Sequence, residues 1–186
     1  IQKIWDGTLD RSVVSFANGR VGMYFGYSWD IFAIRSINPS LSFSIHPVPN
    51  LSGEKKTIAS YWVEGVSNQT KFPEASMEFM KYLHQKETQQ KFFTENAKIQ
   101  GLGSPYSRRD LGGLLKNDPL LYPFIEQAPY AVSTPFVADT QDNGLSDVLN
   151  GYLKNSVAEI SGNTSPDTAI DTLQQGIDQA YAQYER

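Results

Sequence analysis

Apolar residues along this chain repeat first at helical spacing, then at every second position, then at helical spacing again. Ile4, Trp5, Leu9, Val13, Phe16 and Ala17 roughly follow an i, i+4 stripe across Ile1–Asn18, interrupted by Gly7. Gly19 is suited to end that helix in the left-handed conformation. Val21, Met23, Phe25, Tyr27 and Trp29 then alternate with Gly22, Tyr24, Gly26 and Ser28. A period of two predicts a strand with one crowded face, running from Gly19 to Asp30. Glycines inside a strand weaken it and mark close approach of another backbone or a ligand. Asp30–Ile37 has the apolar residues for a short helix, and Asn38-Pro39-Ser40 is a turn. Leu41, Phe43 and Ile45 alternate with Ser42, Ser44 and His46 as a half-buried second strand, stopped by Pro47 and Pro49. Leu51 to Lys56 reads as an exposed turn. A third strand is expected over about Thr57 to Val66, with Ile58, Ser60, Trp62, Glu64 and Val66 on one face.

From Pro73 onward the pattern is helical. Pro73 suits a first turn, and Ala75, Met77, Phe79, Met80 and Leu83 form one face. Gln85 to Glu87 breaks that helix, and a second carries Phe92, Phe93 and Ala97. Gly101 to Pro105 is a loop, and Arg108-Arg109-Asp110 is a solvated charge cluster. Asp118-Pro119 predicts a cap followed by a helix bearing Leu120, Leu121, Phe124, Ile125 and Ala128, ended by Pro129. Leu145, Val148, Leu149, Tyr152, Leu153, Val157 and Ile160 mark a four-turn helix. Ser165-Pro166 opens a last one with Ile170, Leu173, Ile177, Ala180, Tyr181 and Tyr184 on its face. Three strands in the first third cannot build a large sheet alone. The sheet is expected to be either small and covered by helices, or completed by strands from a missing part of the chain.

Composition narrows the function classes. A chain of 186 residues with 40% hydrophobic content has the makings of one domain or two lobes. Its formal net charge of −4 supplies no basic stripe for nucleic acid. There is no cysteine, so thiol nucleophiles, disulfides and zinc–thiolate sites are excluded. The two histidines, His46 and His84, make no metal-binding pair, and neither a metal nor any cofactor is expected. No apolar run of about 18 residues is present, so no transmembrane helix is expected. Nucleophile elbow, phosphate loop and dinucleotide fingerprint are all missing.

The order of several motifs resembles a known family. Phe16, Asn18, Gly19, Met23 and Trp29 are similar to a stretch written F-x-x-G-x-x-A-M-x-x-x-G-x-W, with Gly22 where that family usually has Ala. Pro47-Val48-Pro49 followed by Gly53 resembles its P-x-P…G strand exit. Ser67, Glu74-Ala75, Phe79, Leu83 and Lys86-Glu87-Thr88-Gln89 resemble its S-K…E-A-x-x-F-x-x-x-L…E-x-Q helix pair. Gly103-Ser104-Pro105 and Ser165-Pro166-Asp167-Thr168-Ala169 with Leu173 follow in the same order. The chain thus resembles the C-terminal half of extracellular (family 1) solute-binding proteins of bacterial ABC importers, the sugar-binding, maltose-binding-protein-like group.

That resemblance implies an α/β, helix-rich, periplasmic-binding-protein-like fold of type II, as a partial chain carrying segments of both lobes. Residues 1–50 would belong to the C-terminal lobe, 51–112 to a crossing and part of the N-terminal lobe, and 113–186 to the returning C-terminal helices. Hinge crossings would fall between Pro49 and Tyr61 and between Pro105 and Leu121. It implies non-catalytic capture of a mono- or oligosaccharide outside the cytoplasm and delivery to the membrane permease of an ABC importer. Membrane attachment would come only through a lipid anchor on a missing N-terminus.

A sugar has apolar ring faces and hydroxyl rims, so its site needs a flat aromatic platform with hydrogen-bonding groups at the edge. Trp29 with Asp30 is the first candidate pair; the alternative is a core aromatic beside a turn or cap carboxylate. Tyr27 shares Trp29's face and lines either the pocket or the core. Tyr61 and Trp62 with Glu64 form the second group, Trp62 being favoured because it shares a face with Glu64. Its alternative is a core Trp and an edge Glu. Phe136, near Asp139, Asp142 and Asn143, is the third, although Asp142-Asn143 reads better as a helix cap. Two other functions are weighed against capture. One is a glycoside hydrolase using Asp30 and Glu64 as its carboxylate pair. The other is a surface interaction module that binds no small molecule.

Overall fold

The computed structural model describes residues 8–50, 53–137 and 144–184. Its elements are α1 (Ser12–Ala17), α2 (Asp30–Ile37), β1 (Thr57–Ile58), α3 (Pro73–Leu83), α4 (Lys86–Gln100), α5 (Tyr122–Gln127), β2 (Ala131–Val132), α6 (Leu145–Ser161) and α7 (Pro166–Tyr184). Short 3-10 turns occupy Arg109–Leu115, Ala128–Tyr130 and Pro135–Val137. The chain forms two units, Ile1–Thr57 with Val63–Tyr130, and Ile58–Trp62 with Ala131–Arg186.

In the first unit α1 ends as its sequence dictates. Gly19 takes φ +70°, its N–H donates to the Phe16 carbonyl at 2.9 Å, and the Arg20 N–H donates to the Ser15 carbonyl at 2.9 Å. This is a Schellman closure, in which a left-handed residue turns the chain back over the last carbonyls. Of the helix expected over Ile1–Asn18, residues 8–11 are not helical and α1 begins only at Ser12; the part before Thr8 lies outside the described residues. The core lies next to α2. Ile31, Leu102, Leu115 and Leu121 are buried together, with Phe32, Phe43, Ile45, Phe93, Tyr106, Leu120, Phe124 and Ile125 packed around them. Asp118 Oδ1 accepts the Leu120 and Leu121 N–H groups at 2.9 and 3.0 Å, closing a turn over 118–121; the helix expected from Asp118-Pro119 starts only at Tyr122, with Leu121 at its N-cap and Leu120 and Leu121 outside it. Gln127 is buried and clips the extended 41–49 segment to α5. Its Oε1 accepts the Val48 N–H at 2.8 Å while its amide donates to the Pro123 carbonyl at 2.8 Å.

The strands are where the structure departs from the pattern. Among the described residues the one strand pairing is two residues long on each side, β1 against β2, continued by an Ala59 N–H to Val132 carbonyl bond of 2.9 Å. Neither 19–30 nor 41–46 enters a ladder, and 61–66 runs on without one. A strand requires a partner backbone for its amides and carbonyls, and no described segment pairs with these in a ladder. Alternation still decides which side chains turn inward over 41–46. Leu41, Phe43 and Ile45 are half-buried, and Ser42, Ser44 and His46 are exposed. Over 21–25 the apolar face stays open among the described residues, and Met23 and Phe25 are 89% and 79% exposed.

The second unit is built on α6 packed along α7. Ser165 Oγ accepts the Thr168 N–H at 3.2 Å and so caps α7. The expected face of α7 turns inward at Leu173, Ile177, Ala180 and Tyr181, while Ile170 and Tyr184 are exposed; the small residues Ala169 and Gly176 are buried with it. The reason is close approach. A Cβ on Gly176 would stand 2.5 Å from the Tyr152 ring of α6, so the tyrosine occupies the room that a larger residue would need.

Candidate functional site

The turn leading into α2 gathers three of the sequence candidates in the first unit. Asp30 N–H donates to the Tyr27 carbonyl at 3.1 Å and Phe32 N–H to the Trp29 carbonyl at 3.2 Å, which winds residues 27–32 into the helix start. Ile31, the next residue, is 1% exposed in the core, so this end of α2 is anchored from behind. In front, the Tyr27 and Trp29 rings stack with centroids 4.4 Å apart and planes 19° off parallel. Trp29 remains 44% exposed. One indole face is covered by Tyr27, and the rest of the exposed ring is open to a flat apolar partner.

Asp30 does not cap the helix amides ahead of it. Its Oδ2 accepts the Tyr27 N–H at 3.1 Å and the Tyr24 hydroxyl at 3.3 Å. A carboxylate in the first turn also sits favourably at the positive end of the helix dipole. Tyr24 is half-buried and packs on Phe16 of α1, with centroids 5.1 Å apart. Its phenol is pushed well above the ordinary tyrosine value, by burial first and then by the Asp30 charge and hydrogen bond, all of which disfavour a phenolate. Tyr27 is raised by burial and the same charge.

A raised tyrosine stabilises the fold while it is protonated, fully below the unfolded-state value near 10 and progressively less as pH rises through the folded value. The thermal midpoint is therefore expected to fall above about pH 10, and less steeply in Tyr24→Phe. Matching slopes in the two proteins, measured by circular dichroism melts from pH 8 to 11, would remove Tyr24 from the account.

Tyr24 and Gly26 are absent from the candidates that aromatic and acidic spacing singles out. Their signal is the glycine between a phenol and a carboxylate, which leaves room for the two to meet once the chain turns at 27–30.

The other candidates lie elsewhere. Tyr61 and Trp62 are in the second unit, on the stretch following β1, and Trp62 is 89% exposed. Glu64 is exposed and belongs to the first unit. Phe136 is half-buried in the Pro135–Val137 turn of the second unit, which packs against α6. Ser60 Oγ donates to the Val137 carbonyl at 3.0 Å, tying that turn to the segment that carries Tyr61 and Trp62. Asp139, Asp142 and Asn143 lie outside the described residues. Among the described residues no three His, Asp or Glu side chains are grouped to hold a metal ion.

A helix-anchored aromatic pair with a carboxylate at its edge is a surface suited to holding a small solute. The chain belongs to the bacterial extracellular solute-binding proteins, whose family it matches over residues 2–122. That span contains Tyr27, Trp29, Asp30, Tyr61, Trp62 and Glu64, and ends before Phe136. Its place of work is outside the cytoplasm. No described helix is long and apolar enough to cross a membrane. Comparison with curated protein sequences gave no match.

Proposed function

We infer that this solute-binding protein captures a carbohydrate, a mono- or oligosaccharide, and delivers it to the membrane permease of an ABC importer without transforming it. The observation that carries the reading is the Tyr27–Trp29 stack, half open beside Asp30 at the core-anchored start of α2. An indole face takes the apolar face of a pyranose. One Asp30 oxygen is already engaged, and the other serves the hydroxyl rim. Tyr61, Trp62, Glu64 and Phe136 are proposed as further solute contacts, in a periplasmic-binding-protein-like fold of type II. Residues 1–50 and 113–186 are proposed for one lobe and 51–112 for the crossing and part of the other. The motif order from Phe16 to Leu173 supports the sugar-binding branch.

A ligand that binds only the folded state raises its stability by RT ln(1 + [L]/Kd), about 2.7 kcal/mol at a hundredfold excess over Kd. Thermal melts against glucose, galactose, xylose, maltose and cellobiose, with amino acids, dipeptides and inorganic anions alongside, test the reading. At least one sugar is expected to raise Tm by several degrees. Stabilisation by another solute class, with every sugar silent, would sink it.

A further inference from the structure

Two side chains that do not belong to the aromatic platform hold it in place. The Tyr24 ring rests on Phe16, and its hydroxyl donates to Asp30 Oδ2 at 3.3 Å. The Tyr27 N–H donates to that same oxygen at 3.1 Å. One carboxylate oxygen therefore closes the 24–30 segment on itself, and the stacked Tyr27 and Trp29 belong to the closed stretch of chain. Gly26 sits where the closure is tightest. A Cβ there would fall 2.6 Å from Asp30 Oδ2 and 2.8 Å from the Tyr24 ring. Its φ is outside the left-handed region, so the backbone would accept alanine, and what an added Cβ displaces is the Tyr24 ring and the Asp30 carboxylate. A wedge at 26 must push the phenol and the carboxylate apart.

We propose that Tyr24 and Gly26 are positioning residues of the solute-binding surface, the Tyr24–Asp30–Tyr27 closure fixing Trp29 on Tyr27 and setting the direction of Asp30's second oxygen. The proposal rests on the reading of this surface as the sugar site. Its chemistry is pre-organisation: a platform ordered before binding loses less freedom when a solute arrives. Tyr24 acts through Asp30 and touches no solute.

The experiment compares the 186-residue chain with Tyr24→Phe and Gly26→Ala. The first deletes the donor and keeps the ring on Phe16; the second opens the closure and keeps every hydrogen-bonding group. Near-ultraviolet circular dichroism reads the Tyr27–Trp29 stack without any solute, the relevant band being the one that Trp29→Phe removes. Far-ultraviolet spectra matched to the unsubstituted protein confirm an intact fold for each variant. Both variants are expected to lose at least half of that band. Both should also bind whichever panel sugar stabilises the unsubstituted protein about 3- to 10-fold more weakly, the range of one lost hydrogen bond. An unchanged band in Tyr24→Phe and Gly26→Ala overturns the proposal. If one variant does not fold, the other decides. If no sugar binds the unsubstituted protein while the band still collapses, the closure stands and the carbohydrate reading falls.

Discussion

Trp29→Ala is expected to weaken sugar binding about 10- to 50-fold. Burying an aromatic side chain fully is worth roughly 1.5–3 kcal/mol, and each 1.4 kcal/mol is a factor of ten in affinity. Trp29 starts 44% exposed with one face already on Tyr27, so a stacked pyranose covers only part of its surface and the lower half of that range applies. Trp29→Phe should recover part of the loss, because a smaller ring still offers a flat face. Isothermal titration with the stabilising sugar reads both. Equal affinity in Trp29→Ala would mean that the solute sits elsewhere, and the exposed Trp62 would become the leading aromatic.

Ile31→Ala is expected to cost the first unit about 2–5 kcal/mol of stability, the range for deleting a buried aliphatic side chain together with its residual cavity. Ile31 is 1% exposed and belongs to the cluster with Leu102, Leu115 and Leu121. It also follows Asp30 directly, so a cavity there loosens the wall behind the Tyr27–Trp29 pair. Urea unfolding followed by far-ultraviolet circular dichroism gives the number. Ile170→Ala, at an exposed position of α7, serves as the control and should stay within about 0.5 kcal/mol. A near-neutral Ile31→Ala would show that the cluster is not the support of this surface.

The helices were readable because their signals are local. Pro73 at a first turn, Gly19 past a last one and Ser165 at a cap act within one or two turns of chain, and each does in the structure what its position implies. The strands were not readable to the same degree, because a strand is completed by another segment. Leu41, Phe43 and Ile45 turn inward as their alternation says, yet nothing in those residues states whether a backbone lies beside them. Met23 and Phe25 carry the same alternation and face outward.

The candidate site divides along the same line. An aromatic pair with a neighbouring carboxylate was visible in Tyr27, Trp29 and Asp30. The partnership of Asp30 with Tyr24 depends on a turn that a regular strand would not make. On α7 the apolar spacing finds Leu173, Ile177, Ala180 and Tyr181 on the inward side, and what it leaves out are Ala169 and Gly176. Helical periodicity marks large apolar residues, whereas a helix that packs closely on Tyr152 needs small ones such as Gly176.

The division of the chain into two interleaved units bears on its synthesis. Segment Ile58–Trp62 belongs with a unit whose remaining residues begin at Ala131. At roughly 5–20 residues per second, the ribosome delivers those partners about 4–15 s later. Ile58, Tyr61 and Trp62 therefore emerge well before β2 and α6 exist, while the first unit is itself incomplete until Tyr130 is made. The bonds from Ala59 to Val132 and from Ser60 to Val137 are thus made only after most of the chain has been delivered.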